Sequence, residues 1–270
     1  MIFILLALLS RIKSLNISDI EVSGNQVIDT QSIKDSINQQ MAGKYLLLFP
    51  KTNIFLYPEN SIKNVLQDKF KRLENINLSV KNNKTLLVSL AERKALYTWC
   101  GAMPPDTTDV GRLDPGRPTS VATVSPEQCY FIDENGYIFD QAPYFSGNVY
   151  FKFYGSADLG SYFSKQNFQQ LISFKNTLAG FGLKPVALYA KSNGDVEVFL
   201  SGGTFSTNGP QIIFKINEDY QNVAENLETA LTTEPLQSQF KNKYASLLYI
   251  DLRFGNKVYY KFSAPTVAVK

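Results

Sequence analysis

The chain has 270 residues, enough for one to three domains, and a net charge of +3 in which basic and acidic residues are interleaved. This mild, unclustered charge argues against a protein that binds nucleic acid. The sequence contains no histidine, so it lacks the usual general base, the Ser–His and Cys–His nucleophile pairs and the commonest metal ligand. We therefore expect a protein that is not an enzyme and that holds no metal, cofactor or small-molecule ligand.

Residues 1–13 form an apolar segment, "MIFILLALL", that ends in the basic residues Arg11 and Lys13. A transmembrane helix needs about 20 apolar residues, and a signal peptide needs a basic start and a small-residue cleavage site, which this segment lacks. The segment is therefore the end of a transmembrane helix that begins upstream, a short anchor or a buried terminal helix. We favour the first interpretation and expect residues 1–13 to anchor the chain, although charge bias alone would place the basic pair on the cytoplasmic side.

The next segment predicts a strand followed by a helix. "ISDIEVSG" alternates apolar and polar residues and ends at a "GN" turn. Asp29 or Thr30 can cap the helix that follows, and Ile33, Ile37 and Met41 recur every four residues on one of its faces. The segment therefore predicts an amphipathic helix packed on a strand.

A second helix and a hairpin complete this region. An extended apolar stretch precedes the helix, which begins at Asn60 or Ser61. Two alternating segments then meet at a turn formed by Asn82–Asn83. The order strand, helix, helix, strand, strand predicts two helices on one face of a three-stranded mixed sheet over residues 15–99.

Two stretches of this region resemble the POTRA domain of the FtsQ/DivIB family of cell-division proteins. "ISDIEVSGNQVID" is similar to the opening strand and its V-x-G-N turn, and "LENINLSVKNNKTLLVSLAERKALYTW" is similar to the closing hairpin. In that family an acidic–basic pair ends the last strand, and Glu92–Arg93 matches it here. Tyr97 and Trp99, which follow, form either an exposed aromatic patch or a contact that packs one domain on the next.

A segment rich in Pro, Gly, Asp and Thr, residues 100–129, separates the two halves of the chain. It is bounded by the two cysteines, Cys100 and Cys129. They are either unrelated buried thiols or a disulfide, and a disulfide requires an oxidising compartment. Closing a loop of this length would stabilise the fold by roughly 3–4 kcal/mol. Both interpretations stay open.

Residues 130–262 predict a second α+β domain, a mixed β domain with helices on one face, and residues 263–270 a flexible tail. A hairpin turns at "DENG", a helix begins at Ser164, and a second hairpin turns at Asn193–Gly194. "EDYQNVAENLETALTTEPLQSQFKNKY" is mostly helix, and "ASLLYIDLRFGNKVYYKF" closes the domain as a hairpin. Asp133 and Glu134 are turn formers, because the further oxygen ligands of a calcium loop do not follow them.

The second domain also resembles the FtsQ/DivIB family. "FIDENGYIF" matches the hairpin that opens the family's β domain, and "YIDLRFGNKVYYKF" matches its closing segment. The resemblance implies a divergent divisome scaffold that regulates septum formation. It also implies a single-pass protein of the cytoplasmic membrane, with the bulk of the chain on the extracytoplasmic side and partners of the FtsB/FtsL type.

The resemblance further implies that the final hairpin binds these partners by β-strand addition. The matching residues are Arg253, Phe254, Val258 and Tyr260. An edge strand offers unpaired backbone groups for this purpose. The alternative is that the hairpin is purely structural.

Two other functions compete with the division scaffold. One is a POTRA-type envelope adaptor or chaperone for protein secretion and assembly, which would bind many extended clients. The other is an envelope hydrolase or transpeptidase, which would need a nucleophile and a base without histidine. We prefer the scaffold because only that family accounts for motifs in both halves of the chain.

Overall fold

The computed structural model describes residues 2–104, 128–202 and 210–263, with side chains from residue 5 onward. Most of the insertion and the predicted tail therefore lie outside the described residues. The predicted α+β class is confirmed, with helices and mixed sheets in two compact units, Met1–Lys94 (unit 1) and Ala95–Lys270 (unit 2). Among the described helices, none has the length and apolarity needed to cross a bilayer.

Unit 1 contains a three-stranded mixed sheet and two helices that pack on it. In chain order its elements are α1 (Ile2–Leu9), β1 (Asp19–Ser23), α2 (Thr30–Met41), β2 (Lys44–Tyr45), β3 (Phe49–Pro50), α3 (Glu59–Lys69), β4 (Leu73–Lys81) and β5 (Thr85–Glu92). The sheet order is β1-β5-β4, with β1 parallel and β4 antiparallel to the central strand. The predicted order of strands and helices is present, with the small β2–β3 hairpin inserted between α2 and α3.

The core of unit 1 follows the predicted periodicities. Ile33, Ile37 and Met41 of α2 are buried against the inner faces of α3 and the sheet. Asp29, one of the two predicted caps, accepts a hydrogen bond from the Ser32 backbone N–H at 2.8 Å. The start of α3 differs from the prediction, because Pro58 occupies the N-cap position and the helix begins at Glu59.

The described strands of unit 2 form one large sheet. Its elements are β6 (Tyr97–Trp99), β7 (Tyr130–Ile132), β8 (Ile138–Gln141), β9 (Lys152–Gly155), α4 (Phe168–Gly180), β10 (Pro185–Ala190), β11 (Asp195–Leu200), β12 (Gln211–Lys215), α5 (Tyr220–Thr232), α6 (Leu236–Lys243), β13 (Leu247–Phe254) and β14 (Lys257–Phe262). The nine strands lie in the order β14-β13-β12-β11-β10-β9-β6-β7-β8. The three helices in the described part of unit 2 contribute to one hydrophobic core on one face of this sheet.

The domain boundary lies before the predicted one at Trp99. The sequence predicts one strand through "ERKALYTW", but the chain leaves the first sheet at Glu92, and β6 pairs with β7 and β9 of unit 2. Thr98 is buried there, and the Tyr97 ring packs edge-on against Phe153. Tyr97 and Trp99 therefore pack inside unit 2 rather than forming an exposed patch. The sequence does not indicate this sheet, because a strand of aromatic and β-branched residues pairs equally well with either one.

Two predicted helices also differ in their bounds. Helix α4 begins at Phe168 rather than at Ser164, whose φ of +45° is incompatible with a helix. The long C-terminal helix is divided into α5 and α6 at the Glu234–Pro235 bond. Proline prevents a continuous helix because it lacks an N–H donor and its ring clashes with the preceding turn.

Cys100 and Cys129 form a disulfide, with their sulfur atoms 2.07 Å apart. Of the two interpretations left open by the sequence, the structure therefore supports the disulfide. The bond lies beside a small cluster on the sheet face opposite the helices, where Tyr154, Ala187 and Phe199 are buried. It closes the insertion at its base.

Candidate partner-binding edge of the second sheet

The last strand that the structure describes, β14, is an edge of the nine-stranded sheet. It pairs with β13 on one side, and among the described residues no strand pairs with its other side. The opposite edge, β8, differs because Ile138 exchanges backbone hydrogen bonds with the 160–161 segment at 2.8 and 2.9 Å. Residues 257–262 therefore leave a row of backbone donors and acceptors accessible to another chain.

The register of β13 and β14 identifies which backbone groups face outward. The Ser263 N–H donates to the Ser246 carbonyl at 2.8 Å, so Ser263 bonds inward, toward β13. Because bonding direction alternates along an antiparallel strand, Lys261 and Tyr259 also bond inward. The N–H and C=O groups of Val258 and Tyr260 then face the free edge.

The side chains of Val258 and Tyr260 do not face a partner. Along β14 exposure alternates, and Val258, Tyr260 and Phe262 pack against the core of unit 2. These two predicted site residues can therefore contribute through their backbone, and their side chains support the strand from beneath. Replacing Tyr260 by a charged residue would damage the core and would not test binding alone.

An exposed aromatic pair lies at the turn between β13 and β14. Phe254 and Tyr259 are about half exposed (53% and 51%), and their rings meet edge-to-face with centroids 5.1 Å apart. Asn226 of α5 donates to the Gly255 carbonyl at 3.1 Å and holds the turn. Tyr259 was not predicted, although its alternation with Val258 and Tyr260 places it on the opposite face of the strand.

Arg253 lies behind this pair in an ionic cluster in which the Asp195 and Asp251 side chains are buried and the Arg253 side chain is partly buried. Its guanidinium donates to the Asp251 and Asp195 carboxylates, with 2.6 Å from Nη2 and Nη1 to the respective Oδ2 atoms. The Lys215 Nζ lies 2.5 Å from the other oxygen of Asp195. The cluster links β11, β12 and β13, and the Arg253 guanidinium carbon lies 5.8 Å from the centre of the Phe254 ring. Arg253 therefore positions Phe254 and is itself fully engaged within the chain.

The ion pairs of this cluster favour the charged forms of Asp195 and Arg253. Burial alone would raise the pKa of Asp195, but hydrogen bonds from Lys215 and Arg253 outweigh it, and the pKa lies below its ordinary value. The hydrogen bonds that Arg253 donates to the Asp251 carboxylate are the main cause of its raised pKa. The ion pairs thus fix the conformation of the end of β13. The exposed pair Phe254 and Tyr259 is left to contact a partner.

The described part of the chain contains no group of three His, Cys, Asp or Glu side chains that could hold a metal ion. The Asp133 carboxylate accepts hydrogen bonds from the backbone N–H groups of Asn135 and Tyr137 at 2.8 and 2.9 Å. This geometry is that of a turn-forming aspartate, as the sequence predicts.

The sequence matches no protein-family model. No curated protein matches it either. The free edge of β14 and its aromatic pair are therefore the features that support a functional assignment.

Proposed function

We propose that the chain is a non-enzymatic, membrane-anchored scaffold of the cell-division machinery, which captures an extended segment of a partner along β14. The single observation that carries the proposal is the accessible edge of β14 beside the exposed pair Phe254 and Tyr259. Backbone hydrogen bonds would give affinity and register, and the aromatic pair would select the partner's side chains.

The choice of partner rests on the resemblance to the FtsQ/DivIB family. The motifs "FIDENGYIF" and "YIDLRFGNKVYYKF" lie in β7–β8 and β13–β14, which are strands of the same sheet. We propose partners of the FtsB/FtsL type, which contribute one strand flanked by a short helix. The Cys100–Cys129 disulfide is consistent with an extracytoplasmic location, because disulfides persist in oxidising compartments.

A proline at position 258 tests strand addition directly. Val258→Pro removes an outward N–H and obstructs the approach of a partner strand, whereas proline is tolerated on the free side of an edge strand. We expect capture of FtsB/FtsL-type segments to fall at least tenfold. Val258→Ala is the control for lost side-chain packing against the core, because it shortens the side chain and keeps the N–H.

A charge at the aromatic pair tests the side-chain contribution. Phe254→Lys should weaken capture, whereas Tyr144→Lys, at a still more exposed aromatic elsewhere in unit 2, should not. Capture is measured by cross-linking from position 259, which is unchanged in both variants, and by mid-cell localisation of a fluorescent fusion. Unchanged capture by both Val258→Pro and Phe254→Lys would exclude binding at this edge.

Competition separates the scaffold from the runner-up, an envelope adaptor or chaperone that handles many extended clients. Unrelated unfolded peptides should leave capture of a division partner unchanged. If they displace the partner at comparable concentrations, the chain is an envelope adaptor or chaperone, and β14 is the edge that binds its clients.

A further inference from the structure

Unit 1 has an exposed apolar surface at the end of its sheet where β1 begins. Side chains from α1 and from the 45–56 segment together line a groove of about 470 Å³. The exposed side chains that define this apolar end surface are Leu6, Leu9, Leu46, Leu47, Phe55 and Leu56. Leu46 and Leu47 do not line the groove but lie in the hairpin loop directly after the groove residue Tyr45. Exposed apolar side chains gathered in this way are unusual on a soluble surface and mark a contact with another apolar phase.

The tip of the β2–β3 hairpin is energetically unfavourable for two reasons, its backbone conformation and its exposed apolar side chains. Leu46 and Leu47 both have positive φ, +47° and +61°, a conformation that leucine rarely adopts. Their side chains are also 75% and 87% exposed, so burial within the chain does not repay that strain. Asn or Gly would form the same turn more easily, and the leucines therefore serve an external contact.

The charges around the surface identify the occupant. Residues 1–18 and 42–58 contain Arg11, Lys13, Lys44 and Lys51 and no acidic residue. The Arg11 Nε donates to the Leu48 carbonyl at 3.3 Å, and the Lys51 Nζ lies 5.6 Å from the centre of the Tyr45 ring. An apolar centre with a basic rim matches the boundary between acyl chains and anionic headgroups of a lipid bilayer.

We propose that the apolar end surface inserts into the interface of a bilayer that contains anionic lipids. Leu46, Leu47 and Phe55 enter the acyl region beside α1, and the four basic side chains contact the headgroups. Unit 1 is thereby held on the membrane through its own fold, in addition to any anchoring by α1. This contact lies in a different unit from β14 and goes beyond the capture of a partner strand.

Tryptophan quenching in vesicles tests the proposal on the full chain. The chain, its Leu47→Trp variant and its Val27→Trp variant are reconstituted into phosphatidylcholine–phosphatidylglycerol vesicles with or without bromine on the acyl chains. Trp99 is the only native tryptophan and provides a constant background. Val27 is 70% exposed and follows β1, at the opposite end of the sheet, so it is a matched control.

We expect brominated lipids to quench the added fluorescence of Leu47→Trp at least twofold and to leave that of Val27→Trp unchanged. Lys44→Gln combined with Lys51→Gln should reduce the quenching at position 47, whereas Lys71→Gln combined with Lys94→Gln, at the far end of unit 1, should not.

Equal, weak quenching at positions 47 and 27 in vesicle-bound protein would overturn the proposal. So would a dimer, detected by sedimentation, that Leu47→Ser dissociates in the absence of quenching, because a second copy would then cover the surface. Neither result bears on capture by β14, which the Val258→Pro variant tests independently.

Discussion

At the scale of single residues, the Glu92 carboxylate shows how one side chain joins distant parts of unit 1. It accepts hydrogen bonds from the backbone N–H groups of Gln26, Val27 and Ile28 at 2.8–3.0 Å. These residues form the loop between β1 and α2, and Glu92 is the last residue of β5. Glu92, which matches the acidic position of the family pattern, therefore has a structural role. Its carboxylate accepts the backbone N–H groups of a loop that does not pair with the sheet.

Gly24 occupies the turn of the same loop for a steric reason. Its φ is +96°, and a Cβ at this position would lie 1.8 Å from the Leu90 carbonyl oxygen. No side chain fits at that distance, so the glycine of the "SGN" turn is required by the close approach of β5. The turn motif and the Glu92 cap thus belong to one local arrangement.

Neutralising Glu92 should destabilise unit 1 in a pH-dependent manner. Burial alone would raise the pKa of Glu92, but the three backbone donors outweigh it and lower the pKa below its ordinary value of 4.5. The stability that the charge contributes is therefore present above pH 4.5 and is lost as the pH falls through the lower, folded-state pKa. We expect Glu92→Gln to cost about 1 kcal/mol at pH 7, measured by urea unfolding.

The pH profile provides the control for this substitution. The difference in stability between the chain and Glu92→Gln should shrink as the pH falls below 4.5. Glu21→Gln, which removes an exposed carboxylate 3.7 Å from the Lys81 Nζ, should change stability by less than about 0.5 kcal/mol at either pH. A pH-independent loss at position 92 would show that the charge has no part in the cap.

At the scale of elements, the sequence indicates most strands and helices but not the sheet to which each belongs. The turns at Asn82–Asn83 and Asn193–Gly194 are found as predicted, because positive φ favours Asn and Gly. Strand β6 was predicted in the sheet of unit 1 but lies in the sheet of unit 2. Its alternating pattern indicates only that one face is buried and does not identify the neighbouring strands. Ser164 lies outside α4, because a cap-like residue does not by itself set the start of a helix.

The disulfide acts at the element scale by tying the strand that ends at Trp99 to the one that begins at Tyr130. The two cysteines are 29 residues apart, and closing that loop restricts the unfolded chain. Reduction should therefore destabilise unit 2 by about 3–4 kcal/mol. The measurement is urea unfolding with and without a thiol reductant.

The double variant Cys100→Ala/Cys129→Ala isolates this effect. It should unfold at the same urea concentration with and without reductant, near that of the reduced native chain. If the native chain were insensitive to reductant, the cross-link would make no contribution to its stability.

At the scale of the whole molecule, two separate hydrophobic cores divide the chain. One core is formed by α2, α3 and the three-stranded sheet, and the other by α4, α5, α6 and the nine-stranded sheet. Each unit therefore has a hydrophobic core of its own. The two proposed contacts, with a partner strand and with lipid, use different units.

A cavity in the first core tests this division. Ile37 is fully buried in α2, and Ile37→Ala should destabilise unit 1 by about 2–5 kcal/mol. Hydrogen exchange should lose protection within residues 15–94 and keep it in β10–β13, and partner capture by β14 should persist. Phe214→Ala, in the second core, should give the converse pattern. Loss of protection across both units in each variant would mean that they unfold as one.

The sequence by itself determined the α+β class, the amphipathic faces of the helices, the hairpin turns and the apolar character of residues 1–13, because these depend on local periodicity and backbone preference. Only the tertiary structure decided that β14 lies at an edge, that Arg253 is engaged with Asp195 and Asp251, and that Val258 and Tyr260 offer their backbone rather than their side chains. Strand order and ion pairs depend on residues that are far apart in the chain. The pattern of one strand does not indicate which strands lie beside it.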